Sequence, residues 1–93
     1  MEITENFEYP LLPEWTTAEI IEMSAFYEAV EKLYTTGIKR ADFLERYQKF
    51  CEIEPAKMTQ KQLDKAFEKA SGMSIYQAVK YAQQNQKDFI CYK

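Results

Sequence analysis

Four lysines recur at every fourth position between residues 57 and 69 of this 93-residue chain. Residues four apart lie near one another on an α-helix, so the pattern predicts a basic ridge. Its members are Lys57, Lys61, Lys65 and Lys69. Such a ridge would attract an acidic partner, either a protein or a nucleic-acid backbone. Asp64 and Glu68 interrupt it one step round the helix, so an ordinary solvated face is the competing interpretation.

The other side chains that could do chemistry are carboxylates, and the chain has no histidine to act with them. Glu19, Glu22, Glu28 and Glu31 could hold a cation or act as a base if buried, but this pattern is more typical of a solvated helix face. The chain has no histidine, which removes histidine-based acid–base and nucleophilic catalysis. We therefore expect no enzyme, no catalytic residues, no metal site and no cofactor.

The missing targeting and membrane-spanning patterns lead us to expect a cytosolic protein. The net charge is −3, with −7 on residues 1–54 and +4 on residues 55–93. The acidic N-terminus lacks a signal-peptide pattern, and no apolar run is long enough to cross a bilayer. Cys51 and Cys91 are isolated, so they are expected to be free thiols rather than a disulfide or zinc ligands.

The sequence predicts an all-α fold for the elements that hold these residues. Apolar periodicity and two glycines after helical patterns predict four short helices in two antiparallel hairpins. The whole chain is expected to be one domain. The predicted segments are an extended leader over 1–15, helices over 16–36, 39–53, 59–71 and 74–86, and a tail over 87–93.

Three of the four predicted helices begin with capping-box spacing, in which two side chains satisfy each other's backbone N–H groups. The pairs are Thr16 with Glu19, Thr59 with Gln62, and Ser74 with Gln77. A hydrophobic residue just before such a cap packs on one four positions into the helix. This predicts staples of Trp15 with Ile20 and of Met58 with Leu63, so Trp15 is expected to serve the fold rather than a ligand.

The tail "KDFICYK" is apolar but short. It could dock on the bundle, pair with the leader or carry a dimer contact, and the sequence leaves these alternatives open. Phe89, Ile90 and Tyr92 are predicted to lie against protein, either the chain's own bundle or a second copy. Because uncovered aromatic residues often mark contact sites, these three join the lysine ridge as the candidate partner surface.

A second pattern supports a different function. The run "AFEKASGMSIYQAVK" is helix, glycine turn and helix, and it is similar to the last helix-turn-helix of AraC-type regulators. Its second helix would present Gln77, Lys80, Gln83 and Gln84 to base edges. The absence of arginine from that helix and the acidic net charge argue against DNA binding.

Several stretches together resemble the uncharacterised protein family 0223, a family of small bacterial proteins. They are "YPL", "EWTTAEI", "FYEAVEKLYTTGI", "YQKF", "IEPAK" and "SGMSIY", in this order along nearly the whole chain. Ala56 and Met73 depart from the pattern, where a serine and an aromatic residue are expected. The resemblance implies an all-helical cytosolic bacterial protein, and it implies no activity and no site residues.

The function expected from these observations is a small cytosolic protein-interaction or regulatory module without enzymatic activity. Its partner would be an unidentified protein or a second copy of the chain, with no membrane, and nucleic acid is the less favoured partner. The alternative is a helix-turn-helix DNA-binding protein that uses residues 59–86.

Overall fold

The computed structural model describes residues 8–92, which form four α-helices and one two-stranded antiparallel sheet. The all-α fold class is therefore confirmed, and the small sheet was not predicted. The elements are α1 (Thr17–Tyr34), β1 (Ile38–Lys39), α2 (Arg40–Ile53), α3 (Lys57–Ser71), α4 (Ile75–Gln84) and β2 (Phe89–Ile90). None of the four helices within this described part has the length and apolar content that crossing a membrane needs.

The start of α1 confirms the first predicted cap. The Thr16 hydroxyl accepts a hydrogen bond from the Glu19 N–H at 3.2 Å, and the Glu19 carboxylate accepts one from the Thr16 N–H at 2.8 Å. Two backbone N–H groups that the helix cannot satisfy are thereby paired. Trp15, which precedes the cap, is 7% exposed and belongs to the core, as its structural interpretation required.

Aromatic rings from α1 and α2 form the centre of the core. Phe26 is fully buried, and its ring centroid lies 4.7 Å from that of Phe50 and 5.9 Å from those of Phe43 and Tyr47. Tyr27 stacks at 5.2 Å on Phe67 of α3. Rings in tilted or stacked pairs add to the stabilisation from burial, so a few large side chains can support a small domain.

Residues 1–7 of the predicted leader lie outside the described residues, and two tyrosines tie its described part to α1. The Tyr27 hydroxyl donates to the carbonyl of Pro10 at 2.9 Å, and the Tyr9 hydroxyl donates to the Glu31 carboxylate. Burial is the main cause that raises the pKa of Tyr9, helped by the hydrogen bond to Glu31, and burial alone raises that of Tyr27. Both hydroxyls are therefore protonated donors at neutral pH.

The tail joins the bundle through β2, which resolves the alternatives that the sequence left open. Ile90 pairs with Ile38 of β1 and is 1% exposed. Tyr92 lies 5.1 Å from Tyr34 and 5.0 Å from Tyr81 between ring centroids, and its N–H donates to the carbonyl of Leu33. Both residues contact the chain's own bundle.

Gly37 allows β2 to approach so closely. Its φ is +93°, and a Cβ at this position would lie 2.7 Å from Phe89 Cζ and 3.1 Å from the Ile90 carbonyl oxygen. Only glycine combines this left-handed backbone with that lack of side-chain volume. The helix before it ends earlier than the predicted residue 36, since Thr35 is the C-cap of α1.

The start of α3 corrects the second predicted cap. The helix begins at Lys57 with Ala56 as its N-cap, so Thr59 lies inside the first turn and does not cap it. Met58 is 74% exposed, so its predicted staple with Leu63 is wrong. The earlier start lets the Gln60 side-chain amide donate to the Glu54 carbonyl at 2.7 Å, which satisfies an acceptor just after α2.

The turn between α3 and α4 is held by a glycine, by a serine cap and by hydrogen bonds to α1. Gly72 ends α3 with φ +83°, and the Ser74 hydroxyl caps α4 by accepting from the Gln77 N–H. In the predicted capping box the Gln77 side chain would accept from the Ser74 N–H. The Ser74 N–H instead donates to the Tyr34 hydroxyl at 3.2 Å. That hydroxyl donates in return to the Ser74 carbonyl at 3.0 Å, and this ties the turn to α1.

Candidate functional site

A groove of about 350 Å³ opens between α2, α3 and α4. Every residue that lines it belongs to one of these three helices, so no strand edge borders it. The groove therefore offers side chains to an occupant, and it offers no free backbone edge. Its apolar lining is formed by Tyr47, Phe50, Ile75, Tyr76 and Val79.

The apolar lining grades from buried to exposed. Phe50 and Ile75 are 2% and 4% exposed, so they form a closed floor. Tyr76 is 62% exposed, although the apolar periodicity of residues 74–86 predicts an inner stripe of Ile75, Tyr76, Val79 and Ala82. That prediction is wrong because α4 buries Ala78 in place of Tyr76, together with Ile75, Val79 and Ala82. A large exposed ring beside an apolar floor is typical of a contact surface.

Lysines mark the edges of the groove. Lys57 and Lys61 reach it from α3, and Lys80 reaches it from α4; all three are exposed. Within residues 8–92, the one ion pair closer than 4.0 Å joins Glu28 to Lys32 at 3.4 Å, so these ammonium groups have no carboxylate partner there. A locally positive groove thus occurs on a chain whose net charge is −3.

The predicted basic ridge divides into two halves. All four of its lysines are exposed, but Lys65 and Lys69 do not line the groove. Each four-residue step on an α-helix advances about 40° beyond a full turn, so the ridge rotates by about 120° along its length. The first two lysines therefore face α4 and the last two turn away. Substitutions of the last two can thus serve as a control for substitutions of the first two.

Asp64 is the acidic residue of the groove, and a structural contact occupies it. One of its carboxylate oxygens accepts a hydrogen bond at 2.7 Å from the N–H of Ile75, the first residue of α4. A carboxylate is favourable at a helix N-terminus because the unpaired N–H groups there carry partial positive charge. Asp64 thus links α3 to the start of α4. Three lysines line the same groove, so its charge remains positive overall.

The residues expected to read DNA are only partly brought together. Gln77, Lys80 and Gln84 are all exposed on α4. Lys80 and Gln83 line the groove opposite Lys57 and Lys61, whereas Gln77 and Gln84 do not line it. The side chains that point toward the lysines are therefore not the full set that the helix-turn-helix interpretation named.

The tail residues of the predicted partner surface lie elsewhere. Ile90 and Tyr92 pack on the bundle, and Phe89 is 57% exposed over Gly37. Phe89 lines a second depression with Lys39, Arg40 and Lys87. The structure thus separates the predicted surface into the groove lysines, the distal lysines and one exposed tail ring.

Three of the four glutamates of the predicted cluster on α1 make contacts within the fold, and the fourth, Glu22, is exposed. Glu19 caps its helix, Glu28 pairs with Lys32, and Glu31 accepts from Tyr9. Among residues 8–92, no group of three or more cysteines and carboxylates is arranged to hold a metal ion.

Tyr47 connects the groove to a free thiol. Burial, followed by a hydrogen bond to Cys51, raises the pKa of Tyr47 to about 12. Its hydroxyl is therefore neutral at physiological pH and adds polarity but no charge to the groove wall. Cys51 and Cys91 are both free and half-buried.

Comparison with known proteins gives one consistent result. The model of an uncharacterised protein family, UPF0223, matches residues 6–91. A UPF0223 protein of Streptococcus thermophilus is 46% identical over 85 residues, covering 91% of each chain. Similar proteins of Streptococcus agalactiae and Lactococcus lactis subsp. lactis are each 43% identical and cover 95% and 92% of both chains.

Proposed function

The chain belongs to the uncharacterised protein family UPF0223, as its motifs indicated, and we propose that it is a non-enzymatic protein-interaction module. The observation that carries this proposal is the groove between α2, α3 and α4, which combines an apolar floor with exposed lysines at its edges. Partner proteins commonly bury an apolar centre and surround it with complementary charge.

The exposed side chains beside the groove strengthen this proposal. Tyr76 and Met58 are 62% and 74% exposed, and both are residue types enriched at protein interfaces. Met58 immediately follows Lys57 at the edge of the groove. Next to an apolar floor, these two exposed side chains would enlarge the apolar area that a partner can cover. We place this role in the cytosol because both cysteines are unpaired.

Site-specific photo-crosslinking tests the proposal. A photo-reactive phenylalanine analogue at Tyr76 is expected to yield a discrete protein adduct in the source bacterium. The same analogue at Ile21, which is 63% exposed on α1 and outside the groove, is the matched control and is expected to yield none. Identical adducts from both positions, or no adduct from Tyr76, would contradict the proposal.

DNA binding is the second candidate, favoured by one observation. Lys80 of α4 faces Lys57 and Lys61 of α3 across the groove, so the two helices of the helix-turn-helix pattern share a positive surface. A DNA-binding protein of this kind would bind duplex with an affinity that falls steeply as salt is added. Unchanged mobility of duplex DNA at low salt would remove this candidate.

A further inference from the structure

We propose that the groove binds an acidic amphipathic helix of a partner protein. The inference rests on the proposed function and adds the chemistry of the partner. It places apolar residues of that helix against Phe50, Tyr76 and Val79, and it pairs carboxylates along the same helix with Lys57, Lys61 and Lys80.

The helical form of the partner follows from how the groove is made. A strand-shaped peptide binds by pairing with unsatisfied backbone groups at a sheet edge. The groove is lined only by side chains of α2, α3 and α4, so such pairing is not offered. A helix satisfies its own backbone and presents apolar residues at positions i, i+3, i+4 and i+7, which suits a side-chain-lined groove.

The acidic character of the partner follows from the local charge. Lys57 and Lys61 lie on one side of the groove and Lys80 on the other, so a helix seated in it has ammonium groups along both edges. Asp64 is the one carboxylate among the described residues that line the groove and it faces three lysines, so the lining as a whole is positive toward that helix. An occupant with carboxylates flanking its apolar stripe would complement this arrangement, and a basic one would be repelled.

A peptide titration on the full chain tests this inference. The probe is a dye-labelled amphipathic helix of about 15 residues, roughly 22 Å long, with a leucine stripe flanked by glutamates. Fluorescence anisotropy is expected to report binding that weakens with added salt. The same peptide with glutamine at every glutamate position is expected to bind about tenfold more weakly.

Matched variants locate the binding surface. Lys57→Glu/Lys61→Glu is expected to weaken binding of the glutamate peptide about tenfold or more, since attraction is replaced by repulsion. Lys65→Glu/Lys69→Glu makes the same change of net charge on the same helix outside the groove and is expected to change binding by less than about twofold. Circular dichroism spectra that match the parent chain establish that both variants fold.

Each remaining outcome overturns the inference in a distinct way. Equal weakening by both lysine pairs would mean diffuse attraction, and equal binding of the glutamine peptide would remove the acidic partner. Self-association that only the groove pair abolishes would make the occupant a second copy, and preferred binding of duplex DNA would make it nucleic acid. If no peptide binds while Tyr76 still crosslinks to a protein, the acidic helix is wrong and the interaction module stands.

Discussion

Removal of the chain after Lys87 is expected to unfold the protein or to lower its free energy of unfolding by several kcal/mol. The deletion removes Ile90, which is 1% exposed, and the Tyr92 ring that packs between Tyr34 and Tyr81. Truncation of one buried isoleucine to alanine alone costs about 2–5 kcal/mol, and small domains have only about 5–15 kcal/mol in total. Lost backbone pairing adds to this, because the Tyr92 N–H donates to Leu33 and the Arg40 N–H donates to Asp88.

Chemical denaturation followed by circular dichroism measures this effect, and graded variants of the full chain support it. Ile90→Val is expected to cost about 0.5–1.5 kcal/mol and Ile90→Ala several times more. Phe89→Ser changes the neighbouring residue, which is 57% exposed. It is therefore expected to lower the free energy of unfolding less than Ile90→Ala does. A truncated chain with the same unfolding midpoint as the full chain would show that the tail does not support the fold.

Alkaline pH is expected to destabilise the protein steeply. Burial holds the pKa of Tyr27 above its ordinary value of 10.0, so the folded chain retains a proton that the unfolded chain loses. The free energy of unfolding is therefore fully retained below about pH 10 and falls as pH rises from there toward the folded pKa. Tyr27 alone would remove about 1.4 kcal/mol per pH unit in that window, and Tyr9 acts in the same direction.

Urea denaturation at a series of pH values checks this dependence, and tyrosinate absorbance should rise together with unfolding. Tyr27→Phe is expected to reduce the slope above pH 10, at the cost of the hydrogen bond to Pro10. Tyr76→Phe removes an exposed hydroxyl and serves as the matched control. A free energy of unfolding that stays level across this range would mean that Tyr27 ionises freely in the folded chain.

Local signals in the sequence predicted the starts of two helices well. Trp15, Thr16 and Glu19 lie within five residues, so the cap forms from neighbours and needs no tertiary information. The same spacing at Thr59 failed, because α3 begins at Lys57. Thr59 is the better cap by local signals, since Ala56 makes no side-chain cap hydrogen bond. The earlier start is accompanied by the contact of the Gln60 side-chain amide with the Glu54 carbonyl.

Contacts between residues far apart in the chain could not be predicted from the sequence. The β1–β2 pair joins residues about fifty positions apart, and each strand is two residues long, so no alternation could reveal it. The lysine ridge was predicted from spacing, but its division into Lys57 and Lys61 against Lys65 and Lys69 depends on where α4 lies. Tyr76 was missed as a surface residue for the same reason, since periodicity cannot tell how wide a stripe the bundle covers.

Affinity capture from the source bacterium tests the central claim most directly, namely that the groove is the protein's contact surface. The tagged chain, Lys57→Glu/Lys61→Glu and Lys65→Glu/Lys69→Glu are compared after nuclease treatment, and recovered proteins are identified by mass spectrometry. We expect one stoichiometric partner with the parent chain and with the Lys65/Lys69 variant, and its loss with the Lys57/Lys61 variant. Undiminished recovery by the Lys57/Lys61 variant would contradict the claim and move the contact surface away from the groove.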